Sequence, residues 1–310
     1  MLNQTKKDIF PTVQVLLSTY NGGSYLEEQI DSILSQKNIN VICSVRDDGS
    51  QDYTKDILEK YKHNFPEKTE IIYGNNIGFS KSFSSLVDTS GDFQYFAFSD
   101  QDDVWLPEKL SEGVKCIDGF SKQPEMCFCN GLIVNDKLEV QGKMFDSMQL
   151  PTNKIGRILE NKAAGCTIVF NRAARDFFLE ADQEKIIYHD FWMYVICSYF
   201  GKVVYDPIPR IKYRQHQNNQ VGSKPKFSVI WKRRIKQLTR KTHVREFMAV
   251  ELLNKFGNKL SVEEQKELKL LAEYRKSLRN TFSLLFSFKI FFPDFKKNFW
   301  LKMHVILRNI

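Results

Sequence analysis

Apolar positions along the first 125 residues switch between two periods. The segment "VQVLLSTY" (13–20) is a near-continuous apolar run of strand length, whereas "SYLEEQIDSILSQ" (24–36) returns apolar residues every three or four positions, as an amphipathic helix does. Ser24 is available as the cap of that helix. The alternation continues with a strand over "VICSVRDD" (41–48) and a helix over "SQDYTKDILEKY" (50–61), which Ser50 or Asp52 could cap. A short strand near 69–73, a helix from about 79 to 89 and the strand "FQYFAFS" (93–99) come next. The helix "PEKLSEGVKCIDGF" (107–120) closes the series, with its proline in the permitted first turn. This rhythm predicts an α/β fold whose mostly parallel central sheet is covered by helices on both faces. Ligands of such sheets bind at the carboxyl ends of the strands, and the polar residues collect there: Thr19 to Gly23, Asp47 to Ser50 and Asp100 to Asp103.

From 126 to 223 the rhythm loosens. "MCFCNGLIV" and "AAGCTIVFN" (163–171) read as strands, "HDFWMYVICSYFG" (189–201) as a helix closed by Gly201, and "KVVYDP" as a strand after it. From 224 onward the chain reads as helical and is rich in Lys, Arg and Phe. This organisation divides the chain into an α/β body over 1–222, with halves at about 11–125 and 126–222, and a basic helical region over 223–310.

At 310 residues and 42% hydrophobic content the chain can bury a substantial core. No apolar run approaches the ~18 residues of a membrane span. Basic residues near the N-terminus precede an apolar run too short for a signal peptide, which fits a first strand better. Six cysteines show no C-x-x-C pair, so free thiols in a reducing cytoplasm are expected. The net charge of +8 divides unevenly: residues 224–310 hold 21 Lys/Arg against 7 Asp/Glu, so the body before them is mildly acidic. A polyanionic partner is expected for the basic end only.

The candidate chemistry sits in the acidic strand ends. No G-x-G-x-x-G or G-x-x-x-x-G-K-[ST] occurs, which excludes dinucleotide and P-loop signatures. "RDDGSQD" offers carboxylates for a base N–H or ribose hydroxyls, or else a turn and a helix cap. In "FAFSDQDDVWLPEKL" (96–110), Asp100 and Asp102 flank one residue and could converge on Mg²⁺ or Mn²⁺; Asp103 could cap the following turn, with Trp105 packed inward. No Cys/His cluster accompanies them, so zinc is not expected. In "YHDFWMY", Asp190 starts an apolar helix, as a cap or as a general base. "IKYRQHQNNQVG" (211–222) places Arg214, His216 and Asn218 in one loop.

These stretches occur in an order that resembles the family 2 glycosyltransferases of the GT-A fold, and among them the bacterial rhamnosyltransferase-type enzymes of surface polysaccharide synthesis. The motifs are "LLSTYNGGSYLEEQIDSILSQ", "RDDGSQD", "NNIGFSKSF", "FAFSDQDDVWLPEKL", "GCTIVFNR", "YHDFWM" and "YRQHQNN". The resemblance implies donor contacts at Thr19, Tyr20, Asp47, Asp48, Lys81 and Asp100. It implies Mg²⁺ or Mn²⁺ held by Asp100 and Asp102, with His216 as a further contact, and Asp190 as the base that deprotonates the acceptor hydroxyl. One base suffices for inversion at the sugar's anomeric carbon. The implied donor is a nucleotide sugar: rhamnose from dTDP-rhamnose first, with UDP-hexose or UDP-N-acetylhexosamine as the alternative. The implied acceptor is a saccharide on a lipid diphosphate.

The residues by themselves keep a metal-dependent nucleotidyltransferase open, although "STYNGGSY" lacks the basic residue that a triphosphate loop would show. Nucleic-acid binding would leave the acidic body without a purpose, so none is expected. "KPKFSVIWKRRIKQLTRKTHVR" (224–245), with nine Lys/Arg and no acid, and the aromatic-basic "TFSLLFSFKIFFPDFKKNFWLKMHVILRN" (281–309) suit an anionic membrane surface. The expected location is therefore cytoplasmic, peripheral at the inner face of the cell membrane, with packing of the phenylalanines onto the catalytic domain or onto a second subunit of a homo-oligomer as the alternative.

Overall fold

The computed structural model describes residues 10–215, 243–287 and 295–308. Its centre is a nine-stranded sheet in the order β3-β2-β1-β4-β8-β6-β9-β5, with β7 added beside β6. The strands are β1 (Thr12–Thr19), β2 (Asn40–Asp47), β3 (Thr69–Tyr73), β4 (Tyr95–Ser99), β5 (Val104–Trp105), β6 (Glu125–Val134), β7 (Val140–Lys143), β8 (Ile168–Asn171) and β9 (Lys202–Arg214). The expectation of a mostly parallel sheet needs correction, because the sheet is mixed. The β3-β2-β1-β4 half is parallel, but β8 runs antiparallel to both β4 and β6, and β5 and β7 pair antiparallel at the far side. The physical reason lies in the connections. The first four strands are joined by helical crossovers, which return the chain in the same direction, whereas after β5 that alternation stops and only β6 and β9 pair parallel.

Both faces of the parallel half are covered. Along β1, Val13, Val15 and Leu17 enter one apolar cluster and Leu16 enters the other, the alternation that a pleated strand imposes. Helices α1 (Leu26–Leu34), α2 (Thr54–Asn64) and α4 (Lys109–Lys115) contribute to the first cluster. The second gathers α3 (Phe79–Asp88), α5 (Lys154–Leu159), α6 (Arg172–Glu180) and α7 (His189–Phe200). It also takes in α8 (Val244–Phe256), α9 (Val262–Glu273), α10 (Leu278–Leu285) and α11 (Phe295–Ile306), so the C-terminal helices share the core of the body. Helix α7 is buried on nearly every side, which explains why its sequence shows no polar face.

Helix ends depart from expectation in two places. Helix α1 begins after Tyr25 with no side-chain cap, so Ser24 does not cap it. Helix α2 also lacks a cap bond from its N-cap residue, Tyr53; instead Asp52 accepts from the Thr54 amide at 3.1 Å and from the Gly23 amide at 3.0 Å. Gly201 does close α7. "AAGCTIVFN" splits into a 3-10 turn (Gly165–Thr167) and β8, and the strand begun at "KVVYDP" runs on to Arg214.

Candidate active site

A cleft of about 400 Å³ opens at the carboxyl ends of β1 and β4, where the order of the parallel strands reverses. One wall belongs to the parallel half. Gln101, in the loop after β4, accepts hydrogen bonds from Thr19 Oγ1 (2.7 Å) and the Tyr20 amide (2.8 Å), which locks this loop to the one after β1. That lock needs a glycine: a Cβ at Gly22 would stand 2.5 Å from Gln101 Oε1 and 2.6 Å from Thr19 Oγ1. Tyr20 is exposed and lines the cleft.

The carboxylates after β2 are consumed locally. Asp47 is fully buried and accepts from the Ser50 amide (3.1 Å) and hydroxyl. Asp48 pairs with the Arg46 guanidinium and accepts from the amides of Ile77 and Gly78, each at 2.9 Å. Gly78 holds φ +86, a left-handed conformation that costs glycine little, and this aims its N–H at Asp48 as α3 begins. Asp48 therefore shapes the cleft wall with its charge already compensated.

The acidic loop after β4 differs. Asp100 and Asp102 line the cleft, whereas Asp103 is fully buried behind them. Asp103 Oδ1 accepts from the Arg214 amide at 3.2 Å, but Oδ2 has no hydrogen-bond partner. Burial, followed by the charges of Asp103, Asp102 and Asp190, holds the Asp100 carboxyl well above the usual range. Burial and Asp102 push Asp103 up to about 7. The loop is clamped from the sheet edge: Arg214 Nε donates to the Asp102 carbonyl at 2.9 Å, and its guanidinium also reaches Glu28 and the Asp136 carbonyl. Trp105 is packed beneath the loop, with the buried Lys109 ammonium 3.4 Å from its ring centroid.

The opposite wall comes from the mixed half of the sheet, where β6 and β9 run parallel and β8 antiparallel to β6. Gly165 and Cys166 precede β8, Tyr188 and Asp190 open α7, and Tyr213 is the penultimate residue of β9. Asp190 Oδ1 accepts from the Phe191 amide at 2.7 Å, and Asn161 Nδ2 donates to Oδ2 at 3.4 Å. Burial pushes the Asp190 carboxyl up to about 6, against those hydrogen bonds. Its neighbour His189 is buried, stacks on Phe83 with ring centroids 3.9 Å apart, and is held neutral by desolvation, which pushes it down to about 3. This aromatic packing sets the first turn of α7 and so the direction of Asp190.

A hard divalent cation suits this donor set. Asp100, Asp103 and Cys166 place ligand atoms within 4.8 Å of one another, and Asp103 Oδ2 is a buried oxygen lacking a partner. Burial raises the Cys166 thiol, which keeps it protonated and leaves oxygen as the available donor. Among the described residues lining the cleft there is no lysine or arginine.

The structure thus brings Tyr20, Asp48, Asp100, Asp102 and Asp190 into one cleft. Thr19 stands just behind it, bonded to Gln101, and Asp47 is turned to Ser50. Lys81 pairs with Glu184 at the surface instead of lining the cleft. His216 lies outside the described residues. Sequence reasoning missed Tyr188 and Tyr213 as cleft residues, and read Cys166 as strand interior. Only the adjacency of the two tyrosines to Asp190 and Arg214 could have signalled them.

Residues 14–181, more than half of the chain, match the family model described as glycosyl transferase family 2. The chain belongs to glycosyl transferase family 2. Membership makes it an enzyme that transfers sugar from a nucleotide-diphosphate donor, and it sets aside the nucleotidyltransferase alternative. Among bacterial members of the family, the chain is 28% identical over 228 residues to the dTDP-rhamnosyl transferase RfbG of Shigella flexneri, covering 70% of this chain and 77% of that protein. Over a shorter stretch of 103 residues it is 31% identical to TuaG of Bacillus subtilis, a putative teichuronic acid biosynthesis glycosyltransferase, covering 33% of this chain and 40% of that protein. The family fold recurs in S. aureus TarS 1-349, solved in complex with UDP-GlcNAc, with a TM-score of 0.57 at 19% identity over 90% of this chain and 77% of that one.

Proposed function

We propose that the protein is an inverting transferase that moves a sugar from a nucleoside diphosphate to a hydroxyl of a saccharide acceptor carried on a lipid diphosphate. The observation that carries this reading is the charge of the cleft. A diphosphate entering a pocket lined by Asp100, Asp102 and Asp190, with no described lysine or arginine among its lining residues, needs a cation to accompany it. Asp100 and Asp102 would hold Mg²⁺ or Mn²⁺, with Asp103 behind them. When bound, such an ion supplies charge stabilisation to the diphosphate leaving group.

The chain's own residues account for the other half of the reaction. Asp190 accepts the proton of the acceptor hydroxyl as that oxygen bonds to the anomeric carbon, and the bond from that carbon to the phosphate oxygen breaks. The released nucleoside diphosphate carries away the electron pair. A carboxyl raised to about 6 is still largely ionised at neutral pH, so it is a stronger base than an ordinary aspartate without losing its charge. Attack from the Asp190 wall on a sugar bound at the Asp100 wall is in line and inverts the centre.

Two donor classes have support. A UDP-linked hexose or N-acetylhexosamine is favoured by the TarS structures, which hold UDP and UDP-GlcNAc in this fold. dTDP-rhamnose, the expectation from the motifs, is favoured by the name of the Shigella relative. Nucleoside diphosphate release from a panel of UDP- and dTDP-sugars, with Mn²⁺ and with chelator, distinguishes them. Turnover of one class in Mn²⁺ alone, abolished by Asp102→Ala, is the expected result. Turnover indifferent to chelator and to that substitution would overturn the cation role.

A further inference from the structure

We infer that the surface formed by α10 and α11 seats the protein on an anionic lipid bilayer. This goes beyond the sugar-transfer reading and does not depend on it. Helix α10 has two apolar sides. Thr281 and Leu284 are buried in the core, while Leu278, Phe282 and Phe286, spaced four apart and so stacked along the other side, are 68%, 56% and 69% exposed. Helix α11 packs against α10 and adds exposed Phe299, Ile306 and Leu307. Six large apolar side chains in solvent on two adjacent short helices are a patch, not scattered exposure.

Charge selects the occupant. Residues 274–308 hold eight Lys/Arg and one Asp, and Lys276 (paired with Glu273), Arg279 and Lys302 are exposed. A second copy docking through the same surface would bring two strongly basic faces together across a two-fold axis. A nucleic acid would meet the charge but leave aliphatic Leu278, Ile306 and Leu307 with no base to stack on. Anionic headgroups above shallowly inserted rings satisfy both components at once. Among the described residues no helix is long and apolar enough to cross a membrane, which agrees with helices lying on the surface.

Flotation of the full chain with vesicles tests this, using phosphatidylcholine alone or mixed with phosphatidylglycerol, at low and high salt. The wild type is expected to float with the anionic vesicles at low salt and to be released by high salt. Leu278→Ser/Phe282→Ser/Phe286→Ser should lower the partition coefficient by about tenfold or more, with an unchanged melting temperature and unchanged hydrolysis of a soluble nucleotide sugar. Should that variant fold poorly, Arg279→Glu/Lys302→Glu is expected to lose anionic partitioning severalfold. Wild type that stays with the pellet, or variants that float as well as wild type, overturns the inference. So does a wild-type dimer that the triple substitution converts to monomer, since a second copy would then be the occupant. Hydrolysis in solution reports on the active site alone, so failure here and failure of the sugar-transfer reading are separate results.

Discussion

Two acidic strand ends flank β1 in this sheet, and they have opposite electrostatic histories. After β2, Asp47 and Asp48 are both almost fully buried, and both are satisfied by amides, a hydroxyl and the Arg46 guanidinium. After β4, Asp100, Asp102 and Asp103 crowd one another, and the carboxyls of Asp100 and Asp103 are raised by burial and by the neighbouring negative charges. The first pair builds the cleft. The second cluster gathers buried carboxyls whose ionisation burial and mutual repulsion oppose, which is the condition for recruiting a cation with the substrate. A count of aspartates cannot separate these roles; their hydrogen bonds do.

The largest effects test the reactive side of this contrast. Asp190→Asn keeps the shape of the first turn of α7 but removes the base, and kcat for sugar transfer should fall by about a thousandfold with little change in donor KM. In the wild type, kcat/KM should rise by about tenfold per pH unit below pH 6 and level off above it, because the ionised form is the active one. A profile flat from pH 5 to 8 would remove Asp190 from the chemistry.

The next effect belongs to the satisfied pair. Asp48→Asn leaves the buried Arg46 guanidinium uncompensated and should cost about 3 kcal/mol of stability in denaturant unfolding, whether or not chelator is present. Asp100→Asn should do the reverse at pH 8. A carboxyl raised in the folded state binds its proton more tightly there than in the unfolded chain. Its ionisation therefore erodes stability as pH rises through the folded value, and a neutral amide escapes that loss. The metal-free variant should melt roughly 2 °C higher than wild type while losing activity. Substitutions at 48 and 100 that shift melting in the same direction would erase the distinction between the two strand ends.

Much of the nucleotide wall was legible in the sequence, because parallel strands covered on both faces write continuous apolar runs with polar residues at their ends. Thr19, Asp100 and Asp190 could be placed at element termini from periodicity alone. The acceptor wall was less legible. Cys166 precedes a short antiparallel strand, Tyr213 lies next to the end of the long β9, and neither position carries a periodic signal. Arg214 read as a loop residue, yet it is buried and grips Asp102, Glu28 and Asp136 from the end of β9. Contacts that join residues 78 to 186 positions apart have no local trace. The same holds for Asp103, where a turn cap was expected and a buried acceptor for the Arg214 amide is found.

The central claim is that the cluster after β4 takes up nucleoside diphosphate together with a divalent cation. Titration calorimetry of UDP and of dTDP into wild type and Asp102→Ala, each with Mn²⁺ and with chelator, tests it most directly. At least one diphosphate should bind wild type about tenfold or more tightly with Mn²⁺, and Asp102→Ala should lose that gain. Equal affinity with Mn²⁺ and with chelator, unchanged by the substitution, would contradict the claim.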